Sequence, residues 1–128
     1  MSFMENSNFV QAFKTFDMKL APSPYAMIAS GKKTIELRLY DEKRSQIEVG
    51  DFIVFTNLLD GESVKAKVLA LHRFKNFEEL YNCLPLLKCG YTEENVSTAN
   101  YCDMNIYYSY EKQLKYGVVG IEFCLLNE

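Results

Sequence analysis

The chain lacks most of the signals that settle a protein's chemistry at a glance. It has a single histidine, His72, and its four cysteines (Cys83, Cys89, Cys102 and Cys124) include no pair at the C-x-x-C spacing. A zinc site of the usual Cys/His kind would need nearly every available ligand, so the sequence predicts reduced, unligated thiols and no metal. The spacing favours no particular disulfide pairing either. No run is long and apolar enough for a transmembrane helix. The N-terminal "MSFMENSNFVQAF" is too polar for a signal peptide, which predicts a cytoplasmic protein with no membrane attachment. Positive charge is scarce: 14 Lys and Arg against 17 Asp and Glu leave a net charge of −3. That excludes the whole-protein positive field that gathers nucleic acid without specificity, while a local basic cleft stays open. The mild acidity also keeps a protein-interaction domain among the readings. Repeats, low-complexity tracts and linkers are missing too, so 128 residues read as one domain.

What is present is alternation. The first dozen residues read as a loose arm or a short helix, and "FDMKLA" (16–21) as a first strand. "PSPYAMIASG" predicts a short helix with Pro22 or Pro24 in its first turn, Ser23 as a cap, and Gly31 as the stop signal. "KTIELRLY" has a period of two, with Ile35, Leu37 and Leu39 on one face and Thr34, Glu36, Arg38 and Tyr40 on the other. A charged connection ends in a Gly50-Asp51 turn. "DFIVFTNLL" then reads as a buried strand, joined through an Asp-Gly turn to "SVKAKVLALHRF". "NFEELYNCLPLL" predicts a helix capped by Asn76 and ended or kinked at Pro85. Residues 92–117 look helical in two pieces, closing at Gly117, before a last strand, "VVGIEFCLL". Short turns between residues 33 and 74 predict an antiparallel meander, curled into a small barrel with helices at its side: an α+β fold.

Taken by pattern alone, the polar face of the second strand is an ordinary wet face. Glu36 and Arg38 would then be a surface pair worth under about 1 kcal/mol. The competing reading is a cleft wall, in which Arg38 offers a planar fork for phosphate or a base edge, Lys33 a point charge, and Glu36 an acceptor or base. Tyr107, Tyr110 and Leu114 stand at helical spacing, which predicts packing. Alternatively Tyr107 or Tyr108 overhangs the cleft and stacks on a base, a contact worth ~1–3 kcal/mol. His72, among apolar alternating residues, reads as a packed or edge histidine. Lys65 and Lys67 read as a solvated edge or as an extension of a positive track.

"GKKTIELR" matches the pattern G-x-K-x-x-E-x-R, and three further segments follow in order: "IEVGDFIVF", "NFEELYNCL" and "NIYYSYEKQLKYGVVGIEF". Together they resemble the ASCH domain, a family named for homology to an activating signal cointegrator and related in fold to the PUA RNA-binding barrels. The resemblance spans residues 16–126, with an arm at 1–15 outside it. It implies a PUA-like, mostly antiparallel β-barrel with flanking helices and a cleft lined by Lys33, Glu36 and Arg38. Gly31, Gly50 and Asp51 would serve turns. The implied ligand is RNA, or a nucleotide or modified nucleoside, bound without a cofactor and with Tyr107 and Tyr108 available to stack. The alternative is a metal-independent hydrolase, a ribonuclease or an N4-acetylcytidine amidohydrolase, with Lys33 and Glu36 catalytic. The amidohydrolase branch uses a lysine, a threonine three residues on, and a later glutamate. Lys33 matches the lysine, but Glu36 occupies the threonine position, the nearest threonine is Thr34, and Glu78, Glu79, Glu93 and Glu94 are all available for the third role.

Overall fold

The computed structural model describes residues 12–126, so most of the expected N-terminal arm lies outside the described residues. Five strands form one curled, half-barrel sheet. They are β1 (Thr15–Leu20), β2 (Ile35–Leu39), β3 (Phe52–Asn57), β4 (Ser63–Phe74) and β5 (Val118–Leu125). Three helices flank it: α1 (Pro22–Ala29), α2 (Phe77–Cys83) and α3 (Tyr110–Tyr116).

The sheet order is β1-β3-β4-β5-β2, and it corrects the expected meander. β2 and β3 are consecutive in sequence yet stand apart, with β4 and β5 between them. β3 pairs in parallel with β1 instead. A parallel pair cannot be closed by a tight turn. Here the crossover consists of α1, β2 and the charged connection over residues 40–51, and it carries β2 to the far edge of the sheet. The β3–β4 hairpin at the Asp-Gly turn is as expected, and β4–β5 and β5–β2 are antiparallel.

Two apolar cores result, one on each side of the sheet. Met18, Leu20, Phe55, Val68, Ile121 and Phe123 fill the concave side, which α1 covers with Tyr25 and Ile28. On the outer side Ile35, Leu37 and Leu39 lie under Phe77, Leu80 and Met104. The close fit shows at Gly120, where an added Cβ would meet Leu84 Cδ1 at 2.6 Å and Ile35 Cγ2 at 3.2 Å.

Local sequence explains most element ends. Pro22 opens α1 after Ala21, and Ser23 makes no cap bond, so the cap expected there is replaced by the proline itself. α1 ends in a Schellman arrangement: Lys32 N donates to Met27 O at 2.9 Å and Gly31 N to Ile28 O at 3.0 Å, with Gly31 at φ +84°. Asn76 caps α2, accepting from Glu79 N at 2.9 Å, and Leu84 turns extended before Pro85. At the Gly50-Asp51 turn, Gly50 has φ +98° and the Phe13 ring occupies the place of a Cβ.

The two helical pieces expected over residues 92–117 are corrected in part. Only the second is an α-helix. The first is a pair of short 3₁₀ turns, Val96–Thr98 and Tyr101–Ile106. Polar side chains there bond the local backbone and compete with the α ladder. Asn95 Oδ1 accepts from Thr92 N at 2.7 Å, and Asn100 and Asp103 form a reciprocal capping box. Ser109 then starts α3 afresh, accepting from Lys112 N. Tyr107, Tyr110 and Leu114 do not pack inward as their spacing suggested; each is more than 60% exposed. Met104 and Gln113 are buried in their place.

Candidate functional site

α1 hands the chain to β2 through the Gly31 turn. Because β2 begins at Ile35, Lys33 escapes the strand's alternation and reaches the same carboxylate as Arg38. Gly90, at φ +113°, leaves room for the lysine stem, whose Cδ lies 3.4 Å from where a Cβ would stand. Thr34 N donates to Lys88 O at 2.9 Å and ties the two segments together.

The supposed wet face of β2 is not wet. Glu36 is 4% exposed. Its Oε1 sits 2.7 Å from Lys33 Nζ and its Oε2 accepts from Arg38 Nε at 2.8 Å. Burial alone would push this carboxyl up, but the charges and hydrogen bonds of Lys33 and Arg38 outweigh it and hold the group below the usual glutamate range. The reading as a solvated pair therefore fails, because α1 and the segment after α2 cover the face that an isolated sheet would show to water.

Lys33, Glu36 and Arg38 form one wall of a cavity of about 630 Å³. The residues facing them come from α1, from the stretch around Cys89–Tyr91, and from the 3₁₀ turn that ends at Tyr107 and Tyr108. Tyr108 is half-buried and stacks on Phe77, with ring centroids 6.2 Å apart and planes 17° from parallel. Tyr107, at the mouth, lies 6.4 Å from the Tyr108 ring. Opposite runs a chain of hydroxyls: Tyr81 and Tyr91 are 2.7 Å apart, and Tyr91 donates to Asp103 Oδ2 at 2.7 Å. Burial and the Asp103 bond push the Tyr91 phenol far up, so it stays a donor. The Cys89 thiol, buried beside Lys33, is pushed up to about 11, chiefly by burial.

Five residues singled out in the sequence thus line one cavity: Lys33, Glu36, Arg38, Tyr107 and Tyr108. Others lie elsewhere. His72 faces outward from the sheet, 2.8 Å from Glu122 Oε1. Lys65 sits over the Phe52 ring on β4, away from the cavity. Thr34, Glu78, Glu79, Glu93 and Glu94 are not in its walls. Gly31 and Gly50 serve turns. Asp51, fully buried, accepts from Lys14 N at 2.9 Å and Glu48 N at 2.8 Å. The reading of the sequence missed Lys19, Tyr81, Tyr91 and Asp103 in the cavity walls. Only the Asn100-x-x-Asp103 spacing, a turn signal, hinted at where that wall would form.

A curled five-stranded sheet, helices at its side and a charged cavity at its β2 edge define a PUA-like α+β fold. The ASCH domain model matches residues 18–127, and the chain belongs to the ASCH domain family, which is associated with RNA binding or hydrolase activity. The solved structure of hypothetical protein PH0355 is 34% identical, with 88% of this chain and 99% of that one covered and a TM-score of 0.70. Protein PF0455 from Pyrococcus furiosus is 37% identical, with 89% and 99% covered and a TM-score of 0.58. The ASCH domain from Lactobacillus crispatus JV V101 shares the fold at 15% identity, with 98% and 86% covered and a TM-score of 0.60. No curated protein matches. Among the described residues no helix is long and apolar enough to cross a membrane.

Proposed function

We propose that this ASCH domain is a binding module that takes a nucleotide or modified nucleoside of RNA into the cavity beside β2. The observation that carries the reading is the imbalance of the buried triad: two cations share one carboxylate. Among the described residues Arg38 spends only Nε on a protein partner, which leaves both Nη groups for a ligand in the cavity it lines. A planar fork of this kind suits a phosphate or the acceptor edge of a base. Tyr107 and Tyr108 add aromatic surface, and the volume lies in the range of small-ligand sites. RNA as ligand agrees with the cytoplasmic location that the polar N-terminus suggests.

Turnover by a metal-independent hydrolase is less well supported. Glu36 has both oxygens committed to cations and a lowered pKa, so it makes a poor general base near neutral pH. Thr34 lies outside the cavity walls, which leaves the amidohydrolase reading without its hydroxyl.

The test is a titration of a labelled single-stranded oligoribonucleotide, with and without one N4-acetylcytidine, at low salt. Arg38→Ala is expected to weaken binding roughly tenfold or more, as loss of a charged hydrogen-bonding group does. An affinity that ignores the substitution would remove the site. Mass spectrometry of the same mixture is expected to return intact oligonucleotide; a lost acetyl group or strand fragments would favour the hydrolase.

A further inference from the structure

The apolar stripe that spacing assigned to the interior runs instead along the surface, and it starts at the cavity. Ile106 and Tyr107 border the mouth and are exposed. Tyr110 and Leu114 continue from there, one helical turn apart on α3 and equally exposed. A run of large apolar side chains on a soluble surface marks a place where something binds.

The stripe also leads somewhere. Leu114 and Lys115 border a second cavity, of about 500 Å³, whose walls hold Arg73, Lys75 and Lys115 against one carboxylate, Glu79. Glu79 is itself occupied, accepting from Lys75 N at 3.2 Å. The Arg73 guanidinium lies 3.8 Å above the centre of the Tyr40 ring. That contact fixes the group by its face and leaves its N–H edges for an anion. Arg73 on β4 and Arg38 on β2 are both register partners of Val119 on β5, so the two arginines stand on the same side of the sheet. The cavities are the two ends of one surface route: cationic, aromatic, cationic.

We propose that the ligand is a single-stranded oligonucleotide, whose first base enters the cavity by Arg38. Its following bases stack on Tyr107 and Tyr110, and its backbone phosphates reach Arg73, Lys75 and Lys115. This rests on the RNA reading above and narrows its substrate class. A free nucleotide would leave the α3 stripe uncovered. A duplex has its bases already stacked and cannot offer their faces to tyrosines. The basic far end complements phosphate and gives an apolar protein partner nothing to pair with.

Fluorescence anisotropy with labelled single-stranded oligoribonucleotides of two and of eight nucleotides is the test, together with an eight-base-pair duplex. The octamer is expected to bind about 5- to 100-fold more tightly than the dinucleotide, the gain of one stacked base or more, and the duplex no better than the dinucleotide. Tyr110→Ser with Lys115→Ala, both on the exposed face of α3 and outside the first cavity, should erase the octamer's advantage and leave dinucleotide binding unchanged. Equal affinity for both lengths, with Arg38 still required, would overturn this inference and leave the binding module standing. Preference for the duplex would overturn it as well. Failure of both lengths to bind would remove the two together. Self-association in sedimentation that the Tyr110→Ser, Lys115→Ala variant abolishes, without any dependence on RNA length, would assign the stripe to a second copy of this chain.

Discussion

Glu36 and Asp51 are both buried carboxylates, and both sit below their ordinary pKa. Their surroundings differ in kind. Asp51 is held mainly by backbone: the Lys14 and Glu48 N–H groups donate at 2.9 and 2.8 Å, with the exposed Lys14 Nζ 3.4 Å away. Backbone amides carry no net charge and cannot swing away, so Asp51 pins β1 to the loop before β3 and leaves nothing over for a ligand. Glu36 is held by two long side chains whose summed charge exceeds its own. The first arrangement is closed. The second has unspent charge, and that surplus is why the Glu36 region rather than the Asp51 turn is the candidate site.

Substitutions can break this comparison. Glu36→Ala should have the largest effect on folding, about 3–5 kcal/mol in urea denaturation, because it leaves two cations in a covered site without their anion. A loss under about 1 kcal/mol would mean that water or an ion reaches the triad freely. Asp51→Ala should cost less, about 2–3 kcal/mol for its charge-assisted hydrogen bonds, and should leave RNA affinity alone.

Acid sharpens the contrast. Both folded carboxyls titrate below their ordinary values of 4.5 and 3.8, so the unfolded chain takes up protons first as pH falls. The stability they contribute is present above those values and is lost as pH drops through the lower, folded ones. An acid titration followed by circular dichroism should therefore show a limb that Glu36→Gln flattens; an unchanged limb would mean that the carboxyl is not held low. The smallest effects belong to the lysines. Lys14→Ala should barely move the urea midpoint, since two backbone donors remain on Asp51. Lys33→Ala should act on ligand affinity more than on folding, because Arg38 still pairs with Glu36.

Much of this was legible in the residues, and the failures share one cause. The period of two placed Ile35, Leu37 and Leu39 together and aligned Glu36 with Arg38. Local rules found the Gly31 stop, the Asn76 cap and the Asp-Gly hairpin. What a local rule cannot see is which elements meet. Nothing near Phe52 announces that its strand pairs with β1 rather than β2. The wet face of β2 became a covered one because α1 and the Cys89–Tyr91 stretch fold over it. The tyrosines of α3 obeyed helical spacing, but with Ser109 restarting the helix their stripe turned outward. Tyr81, Tyr91 and Asp103 reached the opposite wall through packing alone.

The buried thiol beside Lys33 gives the chain an internal timer. Cys83, Cys102 and Cys124 are exposed, whereas Cys89 is covered and stays protonated at neutral pH. An alkylating reagent should consume the first three quickly. It would reach Cys89 only in the instants when the residues over β2 lift away. The lag of that fourth adduct in a mass spectrum measures how often the site breathes, with no label introduced. If a ligand occupies the cavity, the lag lengthens, so the native sequence can report occupancy of its own binding site before the identity of the occupant is known.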